Sequence, residues 1–341
     1  MIKKLLSLSS GIFIFCAANS QVTVIPSGGP SSIASFLTGY GVTISNVTYT
    51  GDSNAIGYFS AANSTLNMNN GLVMTTGNLS DVTGPNNSSA YGFDNGFPGD
   101  TDLTALAGCS TFNAAVLEFD CVPTYDTLFF NYIFGSEEYM EYVSGGFNDV
   151  FAIFISGPNI PFQNMAWLPN TTIPVSVVNV NANVNSAYYV DRTNDPDIQF
   201  DGTTTNLLAS IPVVPSSTYH LKIAIADALD GIVDDGVFLE AGSFRCANPN
   251  SIADDTRPKN ISVFPVPATN EVNLKLDALK DPSVKISIRS LAGQEVFSSE
   301  AVAGENGNVK LDISSLPQGM YVVEMIADGQ KTTRMLSVAG R

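Results

Sequence analysis

Thr127-Leu-Phe-Phe-Asn-Tyr-Ile-Phe134, running directly into Gly135-Ser-Glu-Glu-Tyr-Met-Glu-Tyr142, is the stretch on which the fold turns. Seven of its first eight residues are aliphatic, aromatic or β-branched, the side chains that best fit a pleated, packed sheet. Eight residues are too few for a buried helix, and a run apolar on both sides reads as an inner strand of a sandwich. Similar runs recur at 114–119 (AAVLEF), 150–155 (VFAIFI), 175–180 (VSVVNV), 219–226 (YHLKIAIA) and 237–244 (VFLEAGSF), with an alternating one at 42–49 (VTISNVTY). Clusters of Gly, Asn, Asp and Pro separate them, as turns require. Helical patterning is confined to 31–38 (SSIASFLT), with Ser31 or Ser32 as its cap. The class predicted is all-β, an antiparallel β-sandwich or jelly-roll-like domain over residues 21–248.

A polar, two-proline stretch ends that pattern, and residues 249–260 read as a linker. Beyond it, seven short strands are predicted at 261–263, 271–276, 284–289, 295–298, 308–312, 319–326 and 331–338. Seven strands in about eighty residues fit a small Ig-like β-sandwich at 261–341.

The charge follows the same division. Residues 1–20 carry Lys3 and Lys4 and no acid; residues 21–256 carry 23 acids against Arg192, Lys222 and Arg245; residues 257–341 carry 10 bases against 9 acids. The net −17 is therefore the −20 of residues 21–256, offset by +2 and +1. So acidic a domain lacks the basic face that nucleic acid or anionic lipid would need. Lys3, Lys4, the apolar run from Leu5 to Ala18 and the small residues Ala18-Asn19-Ser20 read as a secretory signal peptide over 1–20, with Gln21 as the mature start. Cys16 admits a lipoprotein reading, against which bulky Phe15 stands. No later run is long enough for a membrane helix, so no transmembrane segment is expected. Export makes one disulfide plausible among Cys109, Cys121 and Cys246, and three pairings are open.

The single histidine, His220, lies in a strand run, so an HExxH zinc site is excluded and any Ser-His-Asp triad would rest on that residue alone. Three acidic clusters stand out: 134–150, 191–202 and 226–236. In the first and third, acids occupy Gly-containing loops directly after apolar strands. Calcium takes six to eight hard oxygens, and such loops supply carboxylates and carbonyls. Glu137, Glu138, Asp149, Asp227, Asp234 and Asp235 are the predicted calcium ligands, provided two loops meet; a solvated acidic rim that aids solubility is the alternative.

The same residues carry a resemblance. Gly41-Val-Thr-Ile-Ser-Asn-Val-Thr-Tyr-Thr-Gly51, Gly71-Leu-Val-Met-Thr-Thr-Gly-Asn78, Pro98-Gly-Asp-Thr-Asp-Leu103, Phe134-Gly-Ser-Glu-Glu-Tyr139 and Phe147-Asn-Asp-Val-Phe151 resemble the choice-of-anchor L domain, over about residues 30–245. Phe264-Pro-Val-Pro-Ala-Thr-Asn270, Leu291-Ala-Gly-Gln-Glu-Val296, Leu311-Asp-Ile-Ser-Ser-Leu-Pro-Gln-Gly-Met-Tyr321 and Gly329-Gln-Lys-Thr-Thr-Arg334 resemble the type A C-terminal sorting domain of the Bacteroidota type IX secretion system. Pro265, Pro267, Gly293, Gly319, Tyr321, Lys331 and Arg334 carry that motif, with Gly319 expected in a turn. The resemblances imply a secreted or cell-surface protein, non-catalytic and plausibly an adhesin or matrix component. Its partners would be the type IX machinery and a surface glycan or protein ligand, and the sorting domain would be removed after export. A carbohydrate-binding module or glycoside hydrolase is the alternative, using Trp167, Tyr125, Tyr139, Tyr142, Tyr188, Tyr189 and acidic side chains.

Overall fold

The computed structural model describes residues 22–247 and 261–340, apart from 63, 146–147, 277–278, 280, 292, 305–306 and 329. The expected leader, Cys16 and the linker at 249–260 lie outside the described residues. In chain order the first domain contains β1 (Thr23–Pro26), α1 (Pro30–Leu37), β2 (Val42–Thr50), β3 (Ile56–Ser60), β4 (Asn70–Thr75), α2 (Thr101–Ala107), β5 (Thr111–Pro123) and β6 (Thr127–Ser136). It continues with β7 (Val150–Gly157), β8 (Ile160–Asn164), β9 (Tyr189–Asp191), β10 (Gly202–Thr204), β11 (Leu207–Pro212), β12 (Tyr219–Ala228), β13 (Asp235–Glu240) and β14 (Arg245–Ala247).

These strands form two antiparallel sheets. One runs β1-β3-β4-β13-β6-β10-β9, with β11 and β14 also pairing to β6; the other runs β2-β5-β12-β7-β8. β6 is the hub, and its neighbours explain its apolar sequence. Phe130, Tyr132 and Phe134 point into the core between the sheets, against Leu117, Phe119, Phe151, Ile153, Leu221 and Ile223. Ile133 on the other face is covered by a second layer with Phe59, Leu66, Val82, Phe200 and Phe238. The five-stranded sheet is covered likewise, where Leu103 of α2 packs on Ala152, Phe154 and Ala224. Each large apolar side chain so buried contributes roughly 1.5–3 kcal/mol.

Three expectations are corrected. Residues 175–180 make no strand beyond one antiparallel bridge from Ser176 to Val150, and 177–179 are turn, because Asn side chains take over the backbone bonding: Asn181 Nδ2 donates to Val177 O and Val178 O at 3.0 and 3.1 Å, and Asn179 Nδ2 to Pro174 O at 2.9 Å. Val175, Val177 and Val180 still reach the core. Helix α1 is capped by Gly29, with Pro30 in its first turn, and Ser32 instead donates to Gly29 O at 2.8 Å. The run at 237–244 leaves its sheet at Glu240.

The C-terminal domain is the expected Ig-like sandwich. Strands β15 (Ile261–Phe264), β16 (Glu271–Leu276) and β19 (Asn308–Asp312) face β18 (Glu295–Val302), β17 (Ser283–Ser290), β20 (Gly319–Ala327) and β21 (Gln330–Val338). Val272, Leu274, Ile286, Ile288, Val323 and Leu336 fill its core. Val322 and Met335 point the other way and join the first domain's core, where Thr333 Oγ1 donates to Phe36 O at 3.4 Å.

Candidate metal centre

β6 ends at Ser136 and leads into Glu137-Glu138; beside it, β13 begins at Asp235, preceded by Asp234. Consecutive residues of an extended chain point to opposite faces. Each acidic doublet therefore sends one carboxylate to each side of the sheet. Asp235 lies opposite Ser136 in register, and Glu138, two residues further, shares its side. The facing sheet contributes Asp227, just past a bulge in β12, and Asp149, immediately before β7.

Asp149, Asp227 and Asp235 converge, each with a carboxylate oxygen within 4.8 Å of the others. Their exposures are 2%, 1% and 0%. Asp149 Oδ1 accepts from the Ala228 N–H at 2.6 Å and Asp227 Oδ2 from Asn113 Nδ2 at 3.0 Å. Asp227 Oδ1, both Asp235 oxygens and Glu138 Oε2 are buried without a hydrogen-bond partner. At an effective dielectric of about 20, two carboxylates at such a separation repel by roughly 3–4 kcal/mol.

No protein cation relieves this among the described residues. Arg192 pairs with Asp195 at 3.1 Å and donates to Thr203 Oγ1 at 3.0 Å. Lys222 is held by Asp100 and Asp102 at 2.7 and 2.5 Å. Arg245 donates to Ser243 O at 3.1 Å and lies 5.3 Å from the centre of the Phe129 ring. Charge compensation must come from a proton or a bound cation. Burial, with each neighbour's charge added, pushes the carboxyls of Asp149, Asp227 and Asp235 well above the ordinary carboxylate range. Burial and then the charge of Asp230 push Glu138 up to about 7. Opposite oxygens in a calcium shell sit about 4.6–5.2 Å apart, given bonds of 2.3–2.6 Å. The donor set, all oxygen and anionic, suits that ion.

The six predicted ligands do not form one group. Asp149, Asp227, Asp235 and Glu138 lie between the sheets, whereas Glu137 and Asp234 face the opposite side, because members of a doublet cannot share a face. Sequence reasoning named the doublets and required two loops to meet, but gave both members of each doublet to one site. It also passed over Asn113, which orients Asp227; its only sequence signal is its place in a β-rich run.

His220 is an exposed strand-face residue, 2.9 Å from Asp120 and 3.3 Å from Glu118. It lies seven residues from Asp227 along β12, about 23 Å at strand rise, so no His-based triad involves the acidic cluster. Tyr139 is buried, while Trp167, Tyr125, Tyr142, Tyr188 and Tyr189 are half-buried. The three cysteines among the described residues are free thiols: Cys109 is partly exposed, and Cys121 and Cys246 are buried. Cys246 Sγ donates to Gly41 O at 2.6 Å and accepts from the Thr124 and Tyr125 N–H groups at 3.2 Å.

In the C-terminal domain Pro265 and Pro267 sit exposed between β15 and β16. Gly293 has φ 81°, a left-handed turn position. Gly319 does not: it is already the first residue of β20, opposite Val338, which corrects the turn expected there. Tyr321 is buried and its hydroxyl donates to Pro317 O at 2.8 Å. Lys331 pairs with Glu324 at 2.8 Å. Arg334 Nε donates to Ile261 O at 3.1 Å, fixing the first strand of the domain to the last.

Residues 262–339 match the secretion system C-terminal sorting domain. Such a tail marks export by the type IX secretion system, so the protein is secreted or displayed at the cell surface and the export machinery is a partner. No helix among the described residues is long and apolar enough to cross a membrane. No curated protein matches the chain significantly. Among solved structures it is similar to a biofilm associated protein BSP domain (7% identity, TM-score 0.22, 76% of this chain, 52% of that one). It is also similar to latent PorU from Porphyromonas gingivalis (15%, 0.22, 67%, 18%) and a β-1,2-glucanase from Parabacteroides distasonis (10%, 0.26, 93%, 40%). The chain thus spans about half or less of each, and likenesses this slight carry no functional argument. The match that does carry one is to the choice-of-anchor L domain, over residues 30–245, and the chain belongs to that family.

Proposed function

We propose that this is a non-catalytic adhesin or matrix component whose sandwich is locked by calcium bound to Asp149, Asp227 and Asp235, with Glu138 completing the set. The observation that carries the reading is the buried triad with oxygens left unpartnered. Two of its aspartates come from one sheet and the third from the other, so a cation there fastens the sheets together. That suits a protein that must keep its shape outside the cell. Near the same end of the sandwich, Tyr91, Phe93 and Ile232 are exposed, and apolar side chains on an otherwise acidic surface are natural contact points for a glycan or protein.

The test is binding of the purified full chain, immobilised on beads, to a glycan array and to extracellular matrix proteins, in calcium and then in chelator. Calcium-dependent binding is expected. A panel of glycoside substrates is run alongside; turnover lost on changing one carboxylate would overturn the non-catalytic reading.

A further inference from the structure

In the C-terminal sandwich Tyr321, Val323 and Met325 of β20 and Leu336 and Val338 of β21 point into the domain's own core. Side chains of a strand alternate between faces. Met320, Val322, Glu324 and Ile326 of β20, with Lys331, Thr333 and Met335 of β21, therefore stand on the outer face. The register sets Val322 directly opposite Met335, and Glu324 opposite Thr333. The outer face of a free-standing domain meets water, yet Val322, Met335 and Thr333 are 3%, 8% and 0% exposed. The burial stops part-way across the same face. Ile326 is 38% exposed, and the side chains of Lys285 and Glu300, next in register beyond it, are 69% and 75% exposed.

The first domain covers the buried part. Val322 and Met335 belong to that domain's hydrophobic cluster, and Leu291 and Met320 pack at its margin. Thr333 Oγ1 donates to Phe36 O at 3.4 Å, in the last turn of α1, where carbonyls lack partners within the helix. Phe36 O also accepts from the Gly242 N–H at 3.0 Å. Gly242, with φ 66°, lies close against β21: a Cβ there would be 3.9 Å from both Lys331 O and Thr333 Oγ1. The Lys331–Glu324 pair, at 2.8 Å, borders the contact with both side chains mostly covered. An apolar centre with paired polar groups beside it is the anatomy of a docking interface.

We propose that this face is a latch: it holds the C-terminal domain on the first domain independently of the linker, so that cutting the linker does not by itself release the tail, and undocking is a separate step. While docked, the outer face of β21, the strand that carries Lys331 and Arg334 of the sorting motif, is closed to other partners. The latch does not rest on the calcium reading.

The test uses the full chain with a recognition site for a sequence-specific protease placed between Ser251 and Ile252. After complete cleavage the two pieces should co-elute in gel filtration at low micromolar concentration and appear as one complex in native mass spectrometry. Met335→Lys, on the covered part of the face, should weaken their association by roughly ten-fold or more, because it buries an unpaired charge. Ile326→Lys, on the open part, should leave it unchanged. Pieces of the unmodified chain that elute apart overturn the latch. So does co-elution that Met335→Lys leaves intact or that Ile326→Lys abolishes equally. Because a lysine at 335 could unfold the small domain, a readout without substitution is paired with it: peroxide oxidation of Met335, followed by peptide mass spectrometry. Its protection should be the same before and after the linker is cut. An oxidation rate that rises roughly ten-fold on cutting would overturn the proposal.

Discussion

Asp235 is the residue on which the proposed site depends most. Its carboxylate is fully buried and neither oxygen has a partner. Asp235→Asn removes the charge at constant shape, and its two effects should have opposite signs. In chelator the variant should be more stable than the parent by roughly 1–3 kcal/mol, since a buried charge repelled by Asp149 and Asp227 is gone; that is about 2–4 °C in melting temperature per kcal/mol for a domain of 150–250 residues. In calcium it should lose most of the stabilisation the parent gains. Paired thermal melts check both. His220 gives a separate prediction. Burial lowers its pKa, but hydrogen bonds and charges from Asp120 and Glu118 outweigh this and raise it above 6.5. The sole imidazole signal in an NMR titration should therefore have its midpoint above 6.5. A raised folded pKa means that its stabilising contribution is full below 6.5 and fades as pH rises through the folded value. At this scale the acids themselves were legible in the sequence, because Glu-Glu and Asp-Asp directly flanking apolar strands are conspicuous. Their division between two sides follows from a period of two, but only once the strand ends are known.

Among the elements, β6 was readable because it is buried on both faces, and all seven strands of the C-terminal domain were foreseen because most alternate or run apolar between clear turns. The segment 175–180 was not, because its valines do enter the core but its asparagines bond the backbone locally. Helix α2 was missed for a different reason: seven residues present only Leu103 to the core, too little for a periodic signal. Asp100 explains why α2 forms at all. It accepts from the Asp102 and Leu103 N–H groups at 3.0 and 3.1 Å, and its other oxygen takes Lys222. Asp100→Ala should destabilise the protein by about 1–2 kcal/mol, the usual loss for an N-cap, with a further loss because Lys222, mostly buried, keeps only Asp102 of its two carboxylate partners. Chemical denaturation followed by circular dichroism checks it. A change below 0.5 kcal/mol would contradict the role.

On the scale of the whole molecule, the charge has a structural meaning. The first domain, residues 21–248, holds 21 acids and three bases, and those bases are engaged with partners of their own. The tail makes its own prediction: deleting 261–341 should leave the protein inside the cell envelope, read by surface immunolabelling, and normal display of the truncation would contradict the sorting role. The central claim is that the two sheets of the sandwich are fastened by a cation at Asp149, Asp227 and Asp235. Thermal unfolding of the full chain in calcium and in chelator tests it most directly. A ligand that binds only the folded state at 100 times its Kd adds about 2.7 kcal/mol per site. The melting midpoint should therefore rise by several degrees in calcium and return on chelation; an identical midpoint in both would contradict the claim.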